Sequence, residues 1–594
     1  MPHIKSLWPD LPALPERLNV FETILQQPHH EEWPDFVLHV DEETGNTRTF
    51  REVKKRIDAL AVTLGAPKAE GGLGMNPEDG EIVGIMSDNS SDYVVLILAL
   101  LKIAVPFALI SCFSTPFELK HALKVTKTTK LFTTPQYLPR ARPVAQEAGI
   151  AMSNILIMSG ELGSHESIDQ LIAKSNLLHN RYSKPRIVSK DALALLFFSS
   201  GTTGLPKAVM VSHGNLLYAF RQAVMVAQDR ATVAKPPTPP TPDGLPVVLA
   251  FLPMHHTFGF HIYSIRAFTV PTRFVIFRRW DTGRVLKALS RYRATSLSMV
   301  PSMWYQFVNH PDFTKTDFSS VFAVHSGAAH LPKEISSKVL EHTPNNDFFS
   351  EGYGMSETTV SAVVRPYPGV LNGRFRNVPG TTGVLLPGME ARIVRDDGSE
   401  ADFNEVGELW LKGGNIVSGY FDNPAATRSC FINGWLRTGD HFRVDPDHYF
   451  FFADRAKDTL KVSGSQVSPI EIETVLLAHP DKLVSDVSVA GVRGGRTSDE
   501  LLPRAWIVLS ENGKKLGDMR AQEELERWHQ TNLSKYKWLR GGIEIVNEAG
   551  PIHFIVPKST ERLPLQIPKS PTGKTLRRLL QDQYEHRTAA HAKL

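Results

Sequence analysis

The sequence predicts a multidomain chain in which an α/β portion is followed by a smaller α+β portion, and three observations carry that reading. Up to about Val378, short apolar runs alternate with longer helical patterns. After Val378 the runs shorten and are separated by Asp-Gly and Asp-Pro turns. From Arg455 onward a charged connector leads into helix, strand and helix on a smaller scale.

The elements follow in order. "EIVGIMSD", from Glu81, reads as a strand, and "SDYVVLILALLKIA", from Ser91, as a helix opened by a Ser or Asp cap. "KLFTTP", "NILIMS", "ALALLFFSS", "PVVLAFLP", "RFVIFR", "SLSMVP" and "SVFAVHSG" read as further strands. They are apolar throughout rather than alternating, which predicts a largely parallel sheet covered by helices on both faces. "EARIVRDDGSE", "GELWLKG" and "YFFFADR" read as short antiparallel strands. "SPIEIETVLLAHP" is a helix begun by Ser468 and Pro469. "VSDVSVAGV" and "PRAWIVLS" are strands, and "GDMRAQEELERWHQTNL" is a helix. The expected boundary lies near Asp454, giving domains 1–454 and 455–594.

Composition sets limits. The 594 residues suffice for more than one domain, and 42% hydrophobic with 22% charged residues is ordinary for a globular chain with a large core. A net charge of +4 gives no reason to expect a general polyanion binder. The 2 cysteines, Cys112 and Cys430, exclude a disulfide scaffold and a cysteine-based zinc site, and fit a reducing compartment. The N-terminal stretch lacks the continuous apolar core of a secretory signal. The longest apolar run, Tyr93 to Ile110, is interrupted by Lys102 and broken by Pro106, so it is expected to be a buried helix and then a buried strand rather than a membrane span. "KPPTPPTPDGLP", Lys235 to Pro246, reads as a surface loop.

The chemistry concentrates in "LLFFSSGTTGLPKAVMVSHGNL", which begins at Leu195. A strand gives way to Ser199, Ser200, Gly201, Thr202, Thr203 and Gly204, then Lys207. Glycines let backbone N–H groups approach an anion, the hydroxyls add donors and Lys207 adds positive charge, so a triphosphate is the natural ligand. The pattern is not the kinase loop G-x-x-x-x-G-K-S/T, because Pro206 precedes Lys207 and Ala208 follows it. "EGYGMSETT", from Glu351, adds the aromatic Tyr353, the hydroxyl of Ser356 and the carboxylate of Glu357, suited to nucleobase, phosphate and Mg²⁺. "WLRTGDHF" offers Asp440 as a diol acceptor. "ADRAKDTLKVSGSQVSPIEIE" offers Arg455, Lys457 and Lys461, and "IPKSPTGKTLRR" offers Lys574 on a turn.

These motifs, in this order, resemble the acyl-adenylate-forming superfamily of acyl-CoA synthetases, nonribosomal-peptide adenylation domains and firefly luciferase. They are most similar to the 4-coumarate–CoA ligase and fatty acyl-CoA ligase branch. The resemblance implies a large adenylate-forming domain, with parallel α/β subdomains and a small β-rich one, and a small mobile C-terminal domain. It implies two half-reactions, with ATP, Mg²⁺ and coenzyme A: a carboxylic acid is adenylated, then CoA thiol displaces AMP. By motif position, Ser199 to Lys207 would hold the β- and γ-phosphates. Gly327 and Ala328 would line the adenine, and Glu351, Gly352 and Tyr353 would flank it. Ser356, where the family usually has threonine, would serve the α-phosphate. Thr203 and Glu357 would hold Mg²⁺, and Asp440 and Arg455 the ribose. Lys574 would reach the carboxylate and α-phosphate, and His256 the mouth of the acyl pocket. Lys457 or Asp458 would be the hinge. Lys461, Ser463, Gly464 and Gln466 would approach AMP and the CoA passage, Ser463 standing where the branch often has lysine. Arg279 would meet the CoA nucleotide; a solvated pair after a strand is the alternative for Arg278 and Arg279.

The resemblance also places His255, Thr257, Phe258, Ile262 and His325 around the acid, favouring a fatty or aryl acid without a para-hydroxyl. "GPIHFIVPKSTERLPLQ", Gly550 to Gln566, is an insertion relative to the family, just ahead of Lys574. Ala592, Lys593 and Leu594 resemble the C-terminal peroxisomal signal, which implies an import receptor as a partner. The same motifs serve an enzyme loading a carrier protein and a luciferase-like oxygenase, and the insertion leaves open a non-catalytic nucleotide- or acyl-binding protein.

Overall fold

The computed structural model describes residues 3–178, 184–199, 205–235, 237–327, 331, 333–346, 348–395, 397–455, 460–462, 465–467, 469–494, 501–546, 548–551, 566–569 and 577–591. It divides into two compact units. The first comprises Met1–Cys112, Ala122–Ser199 and Lys207–Asp454; the second comprises Phe113–His121, Ser200–Pro206 and Arg455–Leu594.

Among the described residues the first unit holds three large sheets and a two-stranded one, Arg17–Leu18 with Val188–Ser189. One orders Lys207–Ser212, Leu193–Ser199, Phe107–Ile110, Val83–Met86, Lys130–Thr133 and Ile155–Ile157, parallel except for the first pair, which is antiparallel. The second is built on the parallel strands Phe349–Tyr353, Ala323–Ser326, Ser296–Met299, Val247–Ala250, Arg273–Ile276 and Val37–Asp41, with short antiparallel strands at both edges. The third is antiparallel and contains Glu390–Val394, Gly407–Lys412 and Trp435–Val444.

The apolar run from Tyr93 shows how the sequence dictates this. The Ser90 hydroxyl accepts from Tyr93 N at 3.0 Å and opens the helix Ser91–Lys102. The helix ends before Ala104, which sits at φ 55°, and Pro106 starts the turn into strand Phe107–Ile110. Lys102 is only 2% exposed. Its ammonium ion-pairs with Asp58 and lies 5.5 Å from the centroid of the Phe21 ring, so the charge is compensated where it is buried. Among the described residues no helix is long and apolar enough to cross a membrane.

In the second unit, strand Val484–Arg493 pairs antiparallel with Leu501–Leu509, which pairs parallel with Ile543–Val546. The helices Pro469–Leu477 and Asp518–Asn532 supply Ile472, Leu476, Ala521 and Leu525 to its core. Lys537 is buried in this unit between Glu118 and Glu471, at 2.6 and 2.8 Å. The described strands flanking the insertion lie side by side, Glu548–Pro551 running parallel to Gln566–Lys569. Ile567, immediately after it, is fully buried with Trp506, Val546 and Leu580. The segment leading to "SPTGK" therefore starts from a core-anchored residue.

Candidate active site

The hairpin of strands Leu193–Ser199 and Lys207–Ser212 sets Ser199 directly opposite Lys207 at the mouth of the glycine-rich loop. Ser200, Gly201, Thr202, Thr203 and Gly204 lie outside the described residues. Ser199 Oγ is buried and has no hydrogen-bond partner among the described residues. A segment around Tyr420 extends this hairpin: Met210 N donates to Gly419 O at 3.0 Å and Phe421 N to Ala208 O at 2.8 Å. Tyr420 thereby faces two site residues at once. Its ring lies 4.8 Å from Lys207 Nζ, and its hydroxyl donates to Glu357 Oε1 at 2.8 Å. Burial, and then the charge of Glu357, holds the Tyr420 phenol far above its ordinary range, so it remains a donor.

Glu357 belongs to the short 3-10 turn Ser356–Thr358, and its carboxylate is buried. The turn is clamped from two sides. Asn415 Nδ2 donates to Thr358 O at 3.1 Å and Ser361 O at 2.9 Å. Thr359 sits at φ 65°, a conformation that costs a non-glycine residue about 1–3 kcal/mol, and its hydroxyl donates to Asn415 O at 2.6 Å. The Thr257 hydroxyl donates to Thr359 O, tying the candidate acyl segment to the same turn.

On the neighbouring strand Phe349–Tyr353, Tyr353 donates its hydroxyl to Asp440 Oδ2 at 2.8 Å and rests edge-on against Phe442, centroids 4.8 Å apart. Glu351 pairs with Arg365 at 3.2 Å, and burial nevertheless lifts its pKa above the usual carboxylate range. Gly327 leaves room: a Cβ there would lie 3.6 Å from the Phe258 ring and 3.8 Å from Gly352 O. Phe258, Gly327 and Gly352 thus line one space that a side chain would fill. Ala328 lies outside the described residues.

His256 caps the helix Thr257–Phe260, its Nδ1 accepting from Phe258 N at 3.4 Å, and the chain runs on as a π-helix, His261–Ile265. Gly259 is required here, since a Cβ would meet Pro253 O at 2.4 Å. Burial, then His256, pushes His255 down to about 3. Burial, then Arg230 and Arg266, pushes His325 down to about 4. Both rings are therefore neutral at physiological pH. Ile262 and Phe258 are partly buried against the main core.

Arg279 lies in a network of its own: Nε donates to Asp88 Oδ1 at 3.3 Å, Nη2 to the Tyr137 hydroxyl, and Tyr137 to Asp88 Oδ1 at 2.6 Å. Arg455 ends the strand Phe450–Arg455. In the second unit, Lys461 and Gln466 are paired opposite one another in the hairpin Leu460–Val462 and Ser465–Val467. Lys457, Asp458, Ser463, Gly464 and Lys574 lie outside the described residues. The sequence reading missed Tyr420, Asn415 and Arg365. None stands in a recognisable motif, and only "SGYFDNP", an aromatic between turn residues, offered a signal for Tyr420.

The family model for "AMP-binding enzyme" matches residues 27–421. A probable 4-coumarate–CoA ligase of Dictyostelium discoideum is 28% identical over 593 residues, 98% of this chain and 97% of that one. A luciferin 4-monooxygenase of Luciola mingrelica is 30% identical over 495 residues, 82% of this chain and 85% of that one. Among solved structures, an o-succinylbenzoate CoA synthetase from Bacillus subtilis superimposes with a TM-score of 0.71 at 21% identity, covering 95% of this chain and 98% of that one.

Proposed function

The chain belongs to the AMP-binding enzymes, and from that membership we propose that it is an ATP-dependent acid–CoA ligase. In the first half-reaction a carboxylate oxygen attacks the α-phosphorus of ATP, the bond to the β-phosphate breaks, and pyrophosphate leaves. In the second, the CoA sulfur, having given up its proton, attacks the acyl carbon and AMP departs.

The observation that carries this reading is the linked set Lys207–Tyr420–Glu357, beside Tyr353–Asp440 and the open space at Gly327. Ser199 Oγ, buried and unpartnered among the described residues, fits a phosphate oxygen. Lys207 supplies a positive charge at the same end of the loop. Mg²⁺ typically binds through one or two carboxylates together with substrate phosphates, and Glu357 has an oxygen left after Tyr420 takes Oε1. When bound, the ion would neutralise charge developing on the transferring phosphoryl group. Gly327 and Tyr353 are assigned to adenine, and Asp440 to the ribose hydroxyls. Lys574 is assigned to the carboxylate and α-phosphate during adenylation. Lys461 and Gln466, with a hinge at Lys457 or Asp458, are assigned to thioester formation. Thr257, Phe258 and Ile262, with neutral His255 and His325, make an acyl pocket with apolar walls. We also read Ala592, Lys593 and Leu594 as a peroxisomal import signal.

The test is ATP–pyrophosphate exchange driven by a panel of fatty, aryl and dicarboxylic acids, followed by thioester formation with CoA. Lys574→Ala should abolish exchange yet largely spare thioester formation from supplied acyl-AMP. Absence of exchange with every acid, or equal loss of both half-reactions in the variant, would count against the assignment.

A further inference from the structure

Arg266 directly follows the π-helix His261–Ile265, which carries Ile262 of the proposed acyl pocket. Its Nε is buried with no hydrogen-bond partner. Among the described residues no carboxylate lies within ion-pairing distance of its guanidinium. Among other arginines whose Nε is likewise buried without a hydrogen bond, Arg365 ion-pairs with Glu351, Arg504 with Glu544 and Arg56 with Asp92 and Asp169, while Arg140 donates to Cys112 O.

The surroundings of Arg266 are positive as well. Its charge, with that of Arg230, reaches His325, and it reaches His261 too. Among the described residues no acidic side chain acts on Arg266, His261 or His325. Burial alone pushes Arg266 down to about 10, so it is still a cation at neutral pH. A half-buried guanidinium with no carboxylate partner among the described residues is suited to receive one through two parallel hydrogen bonds. Phe258 and Ile262 are apolar and precede it along the same segment, and the reacting carboxylate belongs at the Lys207–Glu357 end.

We propose that the acid substrate carries a second carboxylate at the end remote from the reacting one, separated from it by an apolar body, and that Arg266 receives it. This rests on the acid–CoA ligase reading and narrows its substrate class. The apolar residues alone favour a simple fatty or aryl acid. The unmatched cation supplies the reason to prefer a dicarboxylate.

The experiment compares matched pairs, octanoate with octanedioate and benzoate with terephthalate, in wild type, Arg266→Gln and Arg266→Lys. Two readouts are taken: acid-dependent pyrophosphate exchange, and thermal stabilisation by each acid without ATP. The wild type is expected to prefer the dicarboxylate of at least one pair in kcat/KM and to be stabilised more by it. Arg266→Gln should lower that preference ratio by about thirtyfold or more, the usual scale for removing one partner of a buried charge pair. Arg266→Lys keeps the charge without the fork and should retain part of the preference, which also controls for misfolding of the glutamine variant. Exchange that runs on monocarboxylates with no dicarboxylate preference overturns this inference and leaves the ligase reading standing. A preference ratio unchanged by Arg266→Gln also overturns it. Dicarboxylate-specific stabilisation that depends on Arg266, without any exchange, upholds the anion site and sinks the ligase reading.

Discussion

Replacing Tyr420 by phenylalanine removes one oxygen atom from the link between the phosphate hairpin and the Glu357 turn. Tyr420 is 6% exposed and Glu357 3%, so water does not readily replace the lost donor. The bond spans 2.8 Å to a carboxylate, and hydrogen bonds to charged groups contribute about 1.5–3 kcal/mol. Phenylalanine keeps the ring beneath Lys207, so the cation–π contact at 4.8 Å survives. The effect is then assigned chiefly to Glu357, Cys430 being the other group that acts on the hydroxyl. Folding stability should fall by about 1.5–3 kcal/mol. If the same interaction orients Glu357 for catalysis, pyrophosphate exchange should fall by about ten- to a hundredfold, since each 1.4 kcal/mol or so is a factor of ten. The Mg²⁺ concentration at half-maximal rate should rise in parallel. Thermal melting and exchange as a function of Mg²⁺, on one preparation of each protein, check all three. A phenylalanine variant with wild-type melting, rate and Mg²⁺ dependence would refute the reasoning. A loss of stability with unchanged Mg²⁺ dependence would reduce Tyr420 to a tether and remove Glu357 from the metal site.

Two further outcomes are expected. His213 is fully buried, its Nδ1 accepts from Val20 N at 3.4 Å, and burial pushes its pKa from 6.5 down to about 4. The unfolded chain therefore binds a proton that the folded chain refuses, so this group's contribution is full above the unfolded pKa and declines as pH falls toward the folded one. Between pH 6.5 and about pH 5 the decline is about 2 kcal/mol, at about 1.4 kcal/mol per pH unit. His213→Asn, which keeps an acceptor for Val20, should flatten the pH dependence of urea unfolding by that amount; parallel curves would contradict it. Separately, a fluorescent fusion ending in Ala592, Lys593 and Leu594 should enter peroxisomes, and one lacking them should stay in the cytosol with unchanged activity in vitro. Cytosolic fluorescence from the intact fusion would dismiss the signal.

Much of the fold was legible because it rests on local signals. The apolar runs of Val83–Met86, Lys130–Thr133 and Leu193–Ser199 each became a strand of one sheet, and the helix Ser91–Lys102 is capped by a serine, Ser90, one residue ahead of the stretch expected to open it. Less legible was Val37–Asp41, a strand whose partner, Arg273–Ile276, is remote in the chain. The site divides the same way. Ser199, Glu357, Tyr353 and Asp440 stand in ordered motifs and could be named from residue types. Tyr420 and Arg266 could not, since their significance lies in what faces them across long sequence separations. Tyr420 matters because Glu357 accepts its hydrogen bond 63 residues away. Arg266 matters because no acid among the described residues faces it, and an absent partner leaves no trace in a linear pattern.

The hydrogen bonds around Thr359 tie the proposed acyl segment to the turn that bears Glu357. A left-handed threonine is unfavourable by itself, and it is held by Asn415 through its hydroxyl and by Thr257 through its carbonyl. Asn415 is fully buried and also fixes Thr358 and Ser361, so the turn bearing Glu357 has little freedom. Thr257 opens the segment that carries Phe258 and Ile262 and ends at Arg266. An acid bound along that segment and a carboxylate oriented in that turn therefore share one set of hydrogen bonds. Adenylation requires the acid's oxygen and the α-phosphorus to meet in line, and a misplacement of about 1 Å costs on the order of a hundredfold in rate. In the proposed reaction a common clamp would fix that separation in advance, which gives the strained Thr359 a role.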